Sequence, residues 1–508
     1  MKRALLSVSD KTDIVVFAKQ LVELDYEIIS TGGTYKKLKE NGIDVIAVDT
    51  ITGFPEILEG RVKTLHPKIH GGLLAKRDNS SHMKAIEELD ITPIDLVCVN
   101  LYPFESTIKK ENVTFDEAIE QIDIGGPTML RSAAKNYQDV AVICDTNDYA
   151  SIINELVETG NISLTTKKKL SAKVFRHTAF YDSIISNHFQ EEVFPEKMTK
   201  GFSFNTALRY GENPHQQAAL YKLGDNPYSL FQAEQLNGKA LSYNNIQDAN
   251  AALNILKEHS SPTVVGLKHM NPCGVASHTS LLQATIDAID SDPVSIFGGV
   301  ISMNGTLTLE IARILSKIFL EIIIAPKYEK EALELLKKKK NLRLLKLDTG
   351  FKNTDQFQIT SINGGVLFQE IDNYLVDKKH LEIATKLIPS NDEIEDLLFG
   401  WKVVKHVKSN AIVVTKGSKT VGVGAGQMNR VGAAEIALEW AKKHGHTEGL
   451  SLASDAFFPF DDVVKLAAKY GVKNIIQPGG SIRDQDSIDA CNQLGLKMVF
   501  TKNRHFKH

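Results

Sequence analysis

The stretch "RALLSVSDKTDIVVFAKQLVELDYEIISTGGT" (3–34) contains two apolar, β-rich runs on either side of an amphipathic helical pattern. "RALLSV" (3–8) and "YEIIS" (26–30) predict buried strands, and residues 11–24 carry apolar side chains at helical spacing. Two further strands are predicted at 94–100 and 139–145. Strand–helix alternation of this kind predicts an α/β fold whose mainly parallel sheet is covered on both faces.

The chain has 508 residues, which exceeds the size at which a single hydrophobic core stops growing. The segment "FPEKMTKGFSFN" (194–205) interrupts the periodic pattern with Pro, Gly and polar residues. We therefore expect one domain over 1–196 and a second over 201–508. Strands of the second domain are predicted at 263–268, 297–303, 321–326, 410–415, 450–454, 474–478 and 497–501.

Composition excludes several classes of protein. Lys and Arg number 59 against 62 Asp and Glu, and this balance argues against a nucleic-acid binder. The N-terminus becomes polar within "MKRALLSVSD", unlike a signal peptide, and no apolar run approaches the roughly 18 residues of a membrane span. The 4 cysteines form no CxxC pair, so no thiolate metal site is expected. We expect a cytoplasmic protein without a membrane or nucleic-acid partner.

Two loops near the N-terminus have the composition of an anion site. "SVSDKT" (7–12) and "STGGT" (30–34) each follow a predicted strand and precede a helix, and we expect the second helix to begin at about Tyr35. Glycines, hydroxyls and free helix N–H groups at such junctions hold phosphates, although a simple N-capped turn has the same pattern. Because ligands of open α/β sheets bind at the carboxyl ends of strands, both loops indicate one anionic site.

Three further segments carry chemically active side chains. "EGRVKTLHPKIHGGLLAKR" (59–77) is rich in cations with interleaved apolar residues, which favours a pocket wall over a surface basic patch. "NLYPF" (100–104) ends a predicted strand with a tyrosine, and "QIDIGGPTMLRSAAKN" (121–136) adds an acid and further cations. Asp123 is also consistent with a plain N-cap. The candidate active groups are Lys63, Tyr102, Asp123 and Lys135.

These motifs together resemble a known enzyme family. "SVSDKT", "STGGT", "GRVKTLHP", "NLYPF" and "DIGG" are similar to the inosine monophosphate (IMP) cyclohydrolase half of the bifunctional purine-biosynthesis enzymes. "RYGENPHQ", "KHMNPCG", "SNAIV", "GAGQMNR" and "SDAFFPF" resemble its aminoimidazole-carboxamide ribonucleotide (AICAR) formyltransferase half. The resemblance spans essentially the whole chain. It implies a methylglyoxal-synthase-like parallel-sheet domain followed by a domain of two cytidine-deaminase-like lobes.

The resemblance also implies an activity. The family transfers a formyl group from 10-formyltetrahydrofolate, a cosubstrate, to AICAR, and then closes formyl-AICAR to IMP with loss of water. It implies no catalytic metal, and a homodimer with formyltransferase sites at the subunit interface. Two alternatives are a nucleotide-binding regulator without turnover and an NAD-dependent oxidoreductase. The second is suggested only by "GVGAGQ" (422–427), which lacks the rest of a dinucleotide-binding pattern.

The residue roles follow from matching the family motifs. For formyl transfer the resemblance implies His269 as proton acceptor, assisted by Lys268 and Asn410; for cyclisation it implies Lys63, Tyr102, Asp123 and Lys135. Implied substrate-binding residues of the first domain are Ser7, Ser9, Lys11, Thr31, Gly32, Gly33, Thr34, Arg61 and Thr64. Those of the second are Arg209, Tyr210, Phe297, Gly298, Glu321, Arg430, Phe457 and Pro459. Asp461 departs from the family pattern, which often has arginine there, so folate contacts near it are not carried over.

Overall fold

The structure is a computed structural model that describes residues 1–224, 226–349 and 357–508. The chain divides into two compact units, which we call unit 1 (Met1–Ser203) and unit 2 (Phe204–His508). Both units have buried apolar cores formed by their own strands and helices.

Unit 1 is built on a five-stranded sheet in the order β3-β2-β1-β4-β5, and every neighbouring pair is parallel. The prediction of a parallel α/β sheet is confirmed. The strands are β1 (Lys2–Val8), β2 (Tyr26–Ser30), β3 (Ile46–Ala47), β4 (Leu96–Asn100) and β5 (Ala141–Ile143). The helices are α1 (Ile14–Glu23), α2 (Gly32–Glu40), α3 (Val48–Thr52), α4 (Pro67–Leu74), α5 (Ser80–Glu88), α6 (Phe104–Ile108), α7 (Phe115–Ile119), α8 (Gly125–Lys135), α9 (Tyr149–Thr159) and α10 (Leu164–Phe189).

The central strand β1 sets the position of the strand-end loops. Leu6 pairs with Ser30 of β2, and Val8 pairs with Asn100 of β4, so three strands end at one edge of the sheet. Helix α2 begins at Gly32, immediately after β2, with Thr31 in extended conformation as its N-cap residue. The sequence pattern had predicted a start near Tyr35, which is wrong because the glycine pair already belongs to the first helical turn. That turn therefore opens directly onto the sheet edge.

Unit 2 contains two six-stranded mixed sheets, in the orders β10-β9-β11-β13-β15-β8 and β18-β23-β22-β21-β19-β20. Its strands are β6 (Ser203–Leu208), β7 (Ala218–Lys222), β8 (Glu234–Asn237), β9 (Thr263–Lys268), β10 (Asn271–Ser277), β11 (Gly299–Met303), β12 (Thr306–Leu307), β13 (Leu320–Ala325), β14 (Lys327–Tyr328), β15 (Arg343–Lys346), β16 (Phe357–Ile362), β17 (Gly365–Glu370), β18 (Glu382–Ile383), β19 (Ile412–Thr415), β20 (Thr420–Gly424), β21 (Leu450–Ser454), β22 (Val472–Gln477) and β23 (Lys497–Phe500). Its helices are α11 (Tyr243–Leu256), α12 (Leu281–Ser291), α13 (Leu309–Leu315), α14 (Lys330–Lys337), α15 (Asn391–Val404), α16 (Arg430–Lys443), α17 (Asp462–Lys469) and α18 (Asp484–Leu494).

The two large sheets of unit 2 are tied together at β10 and β20. The backbone N–H of Val275 donates to the Thr420 hydroxyl at 2.9 Å, and the Ser291 hydroxyl donates to the Thr420 carbonyl at 2.6 Å. Both contacts are buried, where unpaired polar groups are costly, so they fix the two sheets relative to each other. The hairpin β9–β10 is thereby held close to the segment that precedes β19.

Candidate functional site

A cavity of about 470 Å³ lies at the sheet edge of unit 1, where β1, β2 and β4 end. Almost all the residues expected for cyclisation line it. They are Ser7, Ser9, Lys11, Thr31, Gly32, Gly33, Thr34, Arg61, Lys63, Thr64, Tyr102 and Asp123. The position agrees with the rule that ligands of open α/β sheets bind beyond the carboxyl ends of the strands.

Two helices direct their N-terminal turns into this cavity. A Cβ placed on Gly32 would lie 3.6 Å from the Lys63 ammonium, and one on Gly33 would lie 3.6 Å from the Lys11 ammonium. At the start of α8, a Cβ on Gly125 would lie 2.7 Å from the Thr64 hydroxyl. At the first turn of α2, backbone N–H groups, the helix dipole and two ammonium groups therefore converge, which is a favourable environment for a phosphate.

The loops around the first helix turn are fixed by buried side chains. The Thr34 hydroxyl accepts a hydrogen bond from the Val8 amide at 2.9 Å and donates to the Val8 carbonyl at 3.0 Å. The Asn100 side-chain oxygen accepts from the amides of Ser9 and Asp10 at 2.6 and 2.9 Å. The side chain of Thr34 is thus committed to the fold, which leaves its backbone amide as the group able to face a ligand.

Asp123 brings a half-buried carboxyl to the cavity. Its side chain accepts a hydrogen bond from the Gly126 amide at 2.7 Å, and its own amide donates to the Tyr181 hydroxyl at 2.9 Å. Burial raises the pKa of Asp123 above its ordinary value, while hydrogen bonds from the backbone of Gly126 and Tyr102 and the charge of Lys63 oppose that rise. A carboxylate with a raised pKa is a better proton acceptor than an exposed one.

Several acidic residues of the cavity were not predicted from the sequence. Glu59 and Glu120 line it, Arg61 forms an ion pair with Glu120, and the Lys63 ammonium donates to Glu56 at 3.4 Å. Glu120 and Glu56 thus pair with Arg61 and Lys63, which are cations that a phosphorylated ligand would also attract. Of these acids, only Glu56 and Glu59 could have been found from the sequence, because they stand within a few residues of the predicted cations.

Lys135 is the one predicted cyclisation residue that does not line this cavity. It is the last residue of α8, whereas Gly125 and Gly126 at the other end of the helix face the cavity. With a rise of 1.5 Å per residue, the two ends lie about 15 Å apart. The backbone of Lys135 therefore lies well away from the end of α8 that faces the cavity.

The histidines of the cation-rich segment have structural partners. His66 is the N-cap of α4, and its ring nitrogen accepts from the Lys68 amide at 3.1 Å. The ring of His70 lies 3.1 Å from the Ser132 hydroxyl, and burial lowers the pKa of His70. Of the cations predicted to form a pocket wall here, Arg61 and Lys63 do so.

In unit 2, Lys268 ends β9 and His269 begins the turn into β10. The Lys268 ammonium donates to the Phe297 carbonyl at 2.7 Å, so the strand end meets the exposed residue Phe297. Strand β11 begins directly after Gly298 and pairs with β9 and β13, which brings Glu321 to the same sheet edge. Glu321 is held by Arg343 at 2.7 Å.

Asn410 lies in a polar cluster of unit 2 that also contains Gln427, Arg430 and Asp455. Its side-chain nitrogen donates to the Gln427 carbonyl at 2.9 Å, and its oxygen accepts from Arg430 at 2.8 Å. Arg430 is buried and also bonds Asp455 and the Ser454 hydroxyl. In this structure Arg430 therefore orients Asn410, and most of its donors are already used within the protein.

The remaining predicted residues of unit 2 are more exposed than Arg430. Arg209 stacks on the neighbouring ring of Tyr210 and donates to its hydroxyl at 2.8 Å. Phe457 and Pro459 face outward on either side of the fully buried Phe458. This alternation leaves Phe457 and Pro459 available as an apolar wall.

The glycine pattern "GVGAGQ" has a packing explanation. Cβ atoms on Gly422 and Gly424 would lie only 2.0 and 1.9 Å from the carbonyls of Ala437 and Ala433, so α16 packs directly on β20. The thiol of Cys273 is also structural, since burial raises its pKa to about 12. Neither motif presents a cofactor loop or a nucleophile.

The described residues contain neither a side-chain cluster suited to a metal ion nor a helix suited to span a membrane. In these parts of the chain, no group of three or more His, Cys, Asp and Glu side chains is arranged to hold a metal ion. Among the helices that the structure describes, none combines the length and apolar character needed to cross a membrane.

The cavity of unit 1 and the polar clusters of unit 2 are candidate active centres of an enzyme with two activities. Comparisons agree: the family model of the AICARFT/IMPCHase bienzyme matches residues 133–440, and that of the MGS-like domain matches residues 13–128. Bifunctional purine biosynthesis proteins PurH from Lysinibacillus sphaericus, Bacillus subtilis and Bacillus cereus are 58%, 55% and 56% identical, each over 100% of both chains. The chain belongs to this family of bifunctional purine-biosynthesis enzymes, which combine a formyltransferase with a cyclohydrolase.

Proposed function

We propose that the chain converts AICAR to IMP in two steps at two sites. Unit 2 transfers the formyl group of 10-formyltetrahydrofolate to AICAR, and the cavity of unit 1 closes formyl-AICAR to IMP. The observation that carries the proposal is the meeting of two helix N-termini, two lysines, Tyr102 and Asp123 in one cavity of a chain from this family. Ring closure releases water and draws an unfavourable formyl transfer forward.

The ribose phosphate of formyl-AICAR binds at the first turn of α2. Lys11 and Lys63 neutralise its charge, and the backbone amides of the glycine pair donate to its oxygens. Serine and threonine hydroxyls complete the proposed phosphate site. The proposed phosphate-binding residues are Ser7, Ser9, Lys11, Thr31, Gly32, Gly33 and Thr34, with Arg61 and Thr64 nearby.

Ring closure requires the carboxamide nitrogen to attack the formyl carbon while a proton leaves that nitrogen. Because both groups belong to one molecule, orientation in the cavity supplies much of the rate. Asp123 takes the proton, since burial raises the pKa of its carboxyl and makes the carboxylate a better proton acceptor. Lys63 and the Tyr102 hydroxyl stabilise the oxyanion that forms on the formyl oxygen. We assign Lys135 no proton, because it lies at the far end of α8.

Formyl transfer requires a base because the AICAR amine is conjugated with its ring and is a weak nucleophile. His269 accepts the amine proton as the nitrogen attacks the formyl carbon, and an imidazole suits this task near neutral pH. Lys268 and Asn410 stabilise the oxyanion of the tetrahedral intermediate. The proton then passes to the leaving folate nitrogen.

The nucleotide and the folate bind around this base. Arg209 and Tyr210 contact the phosphate and ring of AICAR, and Phe297 with Gly298 borders both ligands. Glu321, Phe457 and Pro459 complete the wall. Arg430 acts mainly by orienting Asn410, because its guanidinium is already bonded to Asp455.

We further propose a cytoplasmic homodimer with domains over 1–196 and 201–508. Support for a dimer comes from large apolar side chains that stand exposed in unit 2, among them Phe297 at 60% and Met428 at 99% exposure. Exposed apolar groups beside a binding site are typical of a surface completed by another chain.

The direct test is product analysis with AICAR and 10-formyltetrahydrofolate. We expect IMP to form only when both are supplied. The competing proposal, a nucleotide-binding regulator, predicts AICAR binding without release of tetrahydrofolate.

Lys63 tests the assignment of the cavity. Lys63→Ala should lower the cyclisation of supplied formyl-AICAR by about 10²–10³-fold, the usual cost of losing an oxyanion donor. Lys68→Ala is the matched control, because Lys68 lies on the same segment, outside the cavity, with only a 3.8 Å pairing to Asp90. Equal effects of the two substitutions would exclude a specific role for Lys63.

A further inference from the structure

The turn that presents His269 has an unusual backbone. Strands β9 and β10 pair from Lys268 with Asn271, so only His269 and Met270 form the connection. Both have positive φ, 52° and 62°. A two-residue hairpin of this type normally uses Asn and Gly, and left-handed residues with longer side chains cost about 1–2 kcal/mol each. Other contacts must therefore hold the turn in place.

Asp248 on helix α11 supplies the first of these contacts. Its carboxylate accepts a hydrogen bond from the Met270 amide at 2.8 Å. Burial raises the pKa of Asp248, and hydrogen bonds from the amides of Met270 and His269, together with the charge of His269, oppose that rise. The carboxylate thus faces the amide side of the turn.

Asn271 supplies the second contact, on the carbonyl side. Its side-chain nitrogen donates to the His269 carbonyl at 3.2 Å, and its oxygen accepts from the Lys408 amide at 3.0 Å. Lys408 stands two residues before Asn410, the other residue proposed to act on the formyl group. One side chain therefore connects the two segments that carry the formyltransferase chemistry.

We infer that Asp248 and Asn271 are positioning residues that hold the His269 imidazole at the AICAR amine through their hydrogen bonds to the turn. Neither belongs to the residues assigned above to substrate binding or proton transfer. The inference rests on the proposed role of His269 in formyl transfer. Loss of either side chain should lower kcat and leave nucleotide binding unchanged, because both side chains contact the backbone that carries the base.

The test uses the full-length chain and two substitutions at Asp248. Asp248→Ala removes the acceptor and should lower the kcat of formyl transfer by about 10²-fold, the scale of a 1 Å misplacement, with an unchanged KM for AICAR. Asp248→Asn keeps an acceptor oxygen for the amides and should restore most of that kcat. Asn250→Ala, at an exposed position of the same helix, is the matched control and should behave as wild type.

Asn271→Ala should give the same division between kcat and KM. Cyclisation of supplied formyl-AICAR, measured on the same preparations, reports whether the chain is intact. If Asp248→Ala loses cyclisation as well, Asp248→Asn and Asn271→Ala decide the question. A wild-type kcat in Asn271→Ala, or a loss in Asp248→Asn as large as in Asp248→Ala, overturns the inference.

His269→Ala separates this inference from the proposed function. If His269→Ala retains formyl transfer, the proposed base is wrong. If His269→Ala abolishes formyl transfer while Asp248→Ala and Asn271→Ala keep wild-type kcat, only the positioning role is wrong.

Discussion

Asp123, the proposed base of cyclisation, lowers the stability of the folded chain when its buried carboxyl is ionised. Because burial raises its pKa in the folded chain, the folded state binds more protons than the unfolded state between the ordinary and the raised value. Stability contributed at this site is therefore lost as pH rises through that window. We predict that Asp123→Asn lowers cyclisation by about 10²–10⁴-fold, the usual contribution of a positioned base.

The same substitution should leave the chain at least as stable as wild type at neutral pH. Thermal unfolding across pH checks this: the advantage of Asp123→Asn should shrink as the pH falls below the raised pKa, where the wild-type carboxyl is protonated. A variant that is less stable than wild type at neutral pH, or one that keeps cyclisation, would contradict the assignment.

Lys11 should affect binding more than chemistry. Its ammonium faces the first turn of α2 and makes only a 3.3 Å bond to the Ser9 carbonyl, so it is available to a phosphate. A hydrogen bond to a charged group contributes about 1.5–3 kcal/mol. We predict that Lys11→Gln raises the KM for formyl-AICAR by about 10–100-fold and changes kcat much less. A loss confined to kcat would argue for a role in proton transfer instead.

Single residues show what the sequence reveals about a site and what it leaves out. Lys63, Tyr102 and Asp123 were predicted because each stands in a family motif, and all three line one cavity. Asp248 was not, because its importance comes from a hydrogen bond to the backbone of Met270, and an aspartate within a helix gives no sign of such a distant acceptor role. Lys135 was predicted from its motif, but the length of α8 separates it from the cavity.

At the scale of elements, the turn of the β9–β10 hairpin carries backbone strain that a substitution can relieve. Met270 has φ 62° and is 39% exposed, so replacing it sacrifices little apolar burial. Asparagine adopts the left-handed region more readily than methionine. We predict that Met270→Asn raises the unfolding free energy by about 1 kcal/mol. Met198→Asn is the control, since Met198 is 36% exposed, much like Met270, and lies outside the positive-φ positions.

The start of α8 makes a complementary prediction. A Cβ on Gly126 would lie 2.5 Å from the Asp123 carboxylate and 2.8 Å from Leu101, so Gly126→Ala must displace the carboxylate. We expect cyclisation to fall by about 10²-fold while formyl transfer stays at the wild-type rate. Unchanged cyclisation would show that the position of Asp123 is not critical.

Elements with clear periodicity were predictable. Strand β1 and helix α1 stand close to their predicted bounds because apolar spacing alone determines which side chains are buried. The start of α2 was misplaced because glycines carry no apolar signal. The antiparallel pairing of β9 with β10 and β11 depends on tertiary contacts and leaves no local pattern.

At the scale of the whole molecule, the two activities should respond differently to dilution. The cyclisation cavity is lined by one chain, whereas the formyltransferase residues Lys268 and Phe297 stand at an exposed edge that we propose a second copy completes. We predict that formyl transfer per chain falls when the protein is diluted until dimers dissociate, and that cyclisation per chain stays constant. Sedimentation at the same concentrations provides the dimer fraction. Parallel loss of both activities would contradict this division.

The most direct measurement assays His269→Ala in the two reactions separately. One assay supplies AICAR with 10-formyltetrahydrofolate, and the other supplies formyl-AICAR alone. We predict that formyl transfer falls by about 10²–10⁴-fold while ring closure keeps the wild-type rate. Equal loss of both reactions, or formyl transfer at the wild-type rate, would contradict two separate sites with His269 as the base of one.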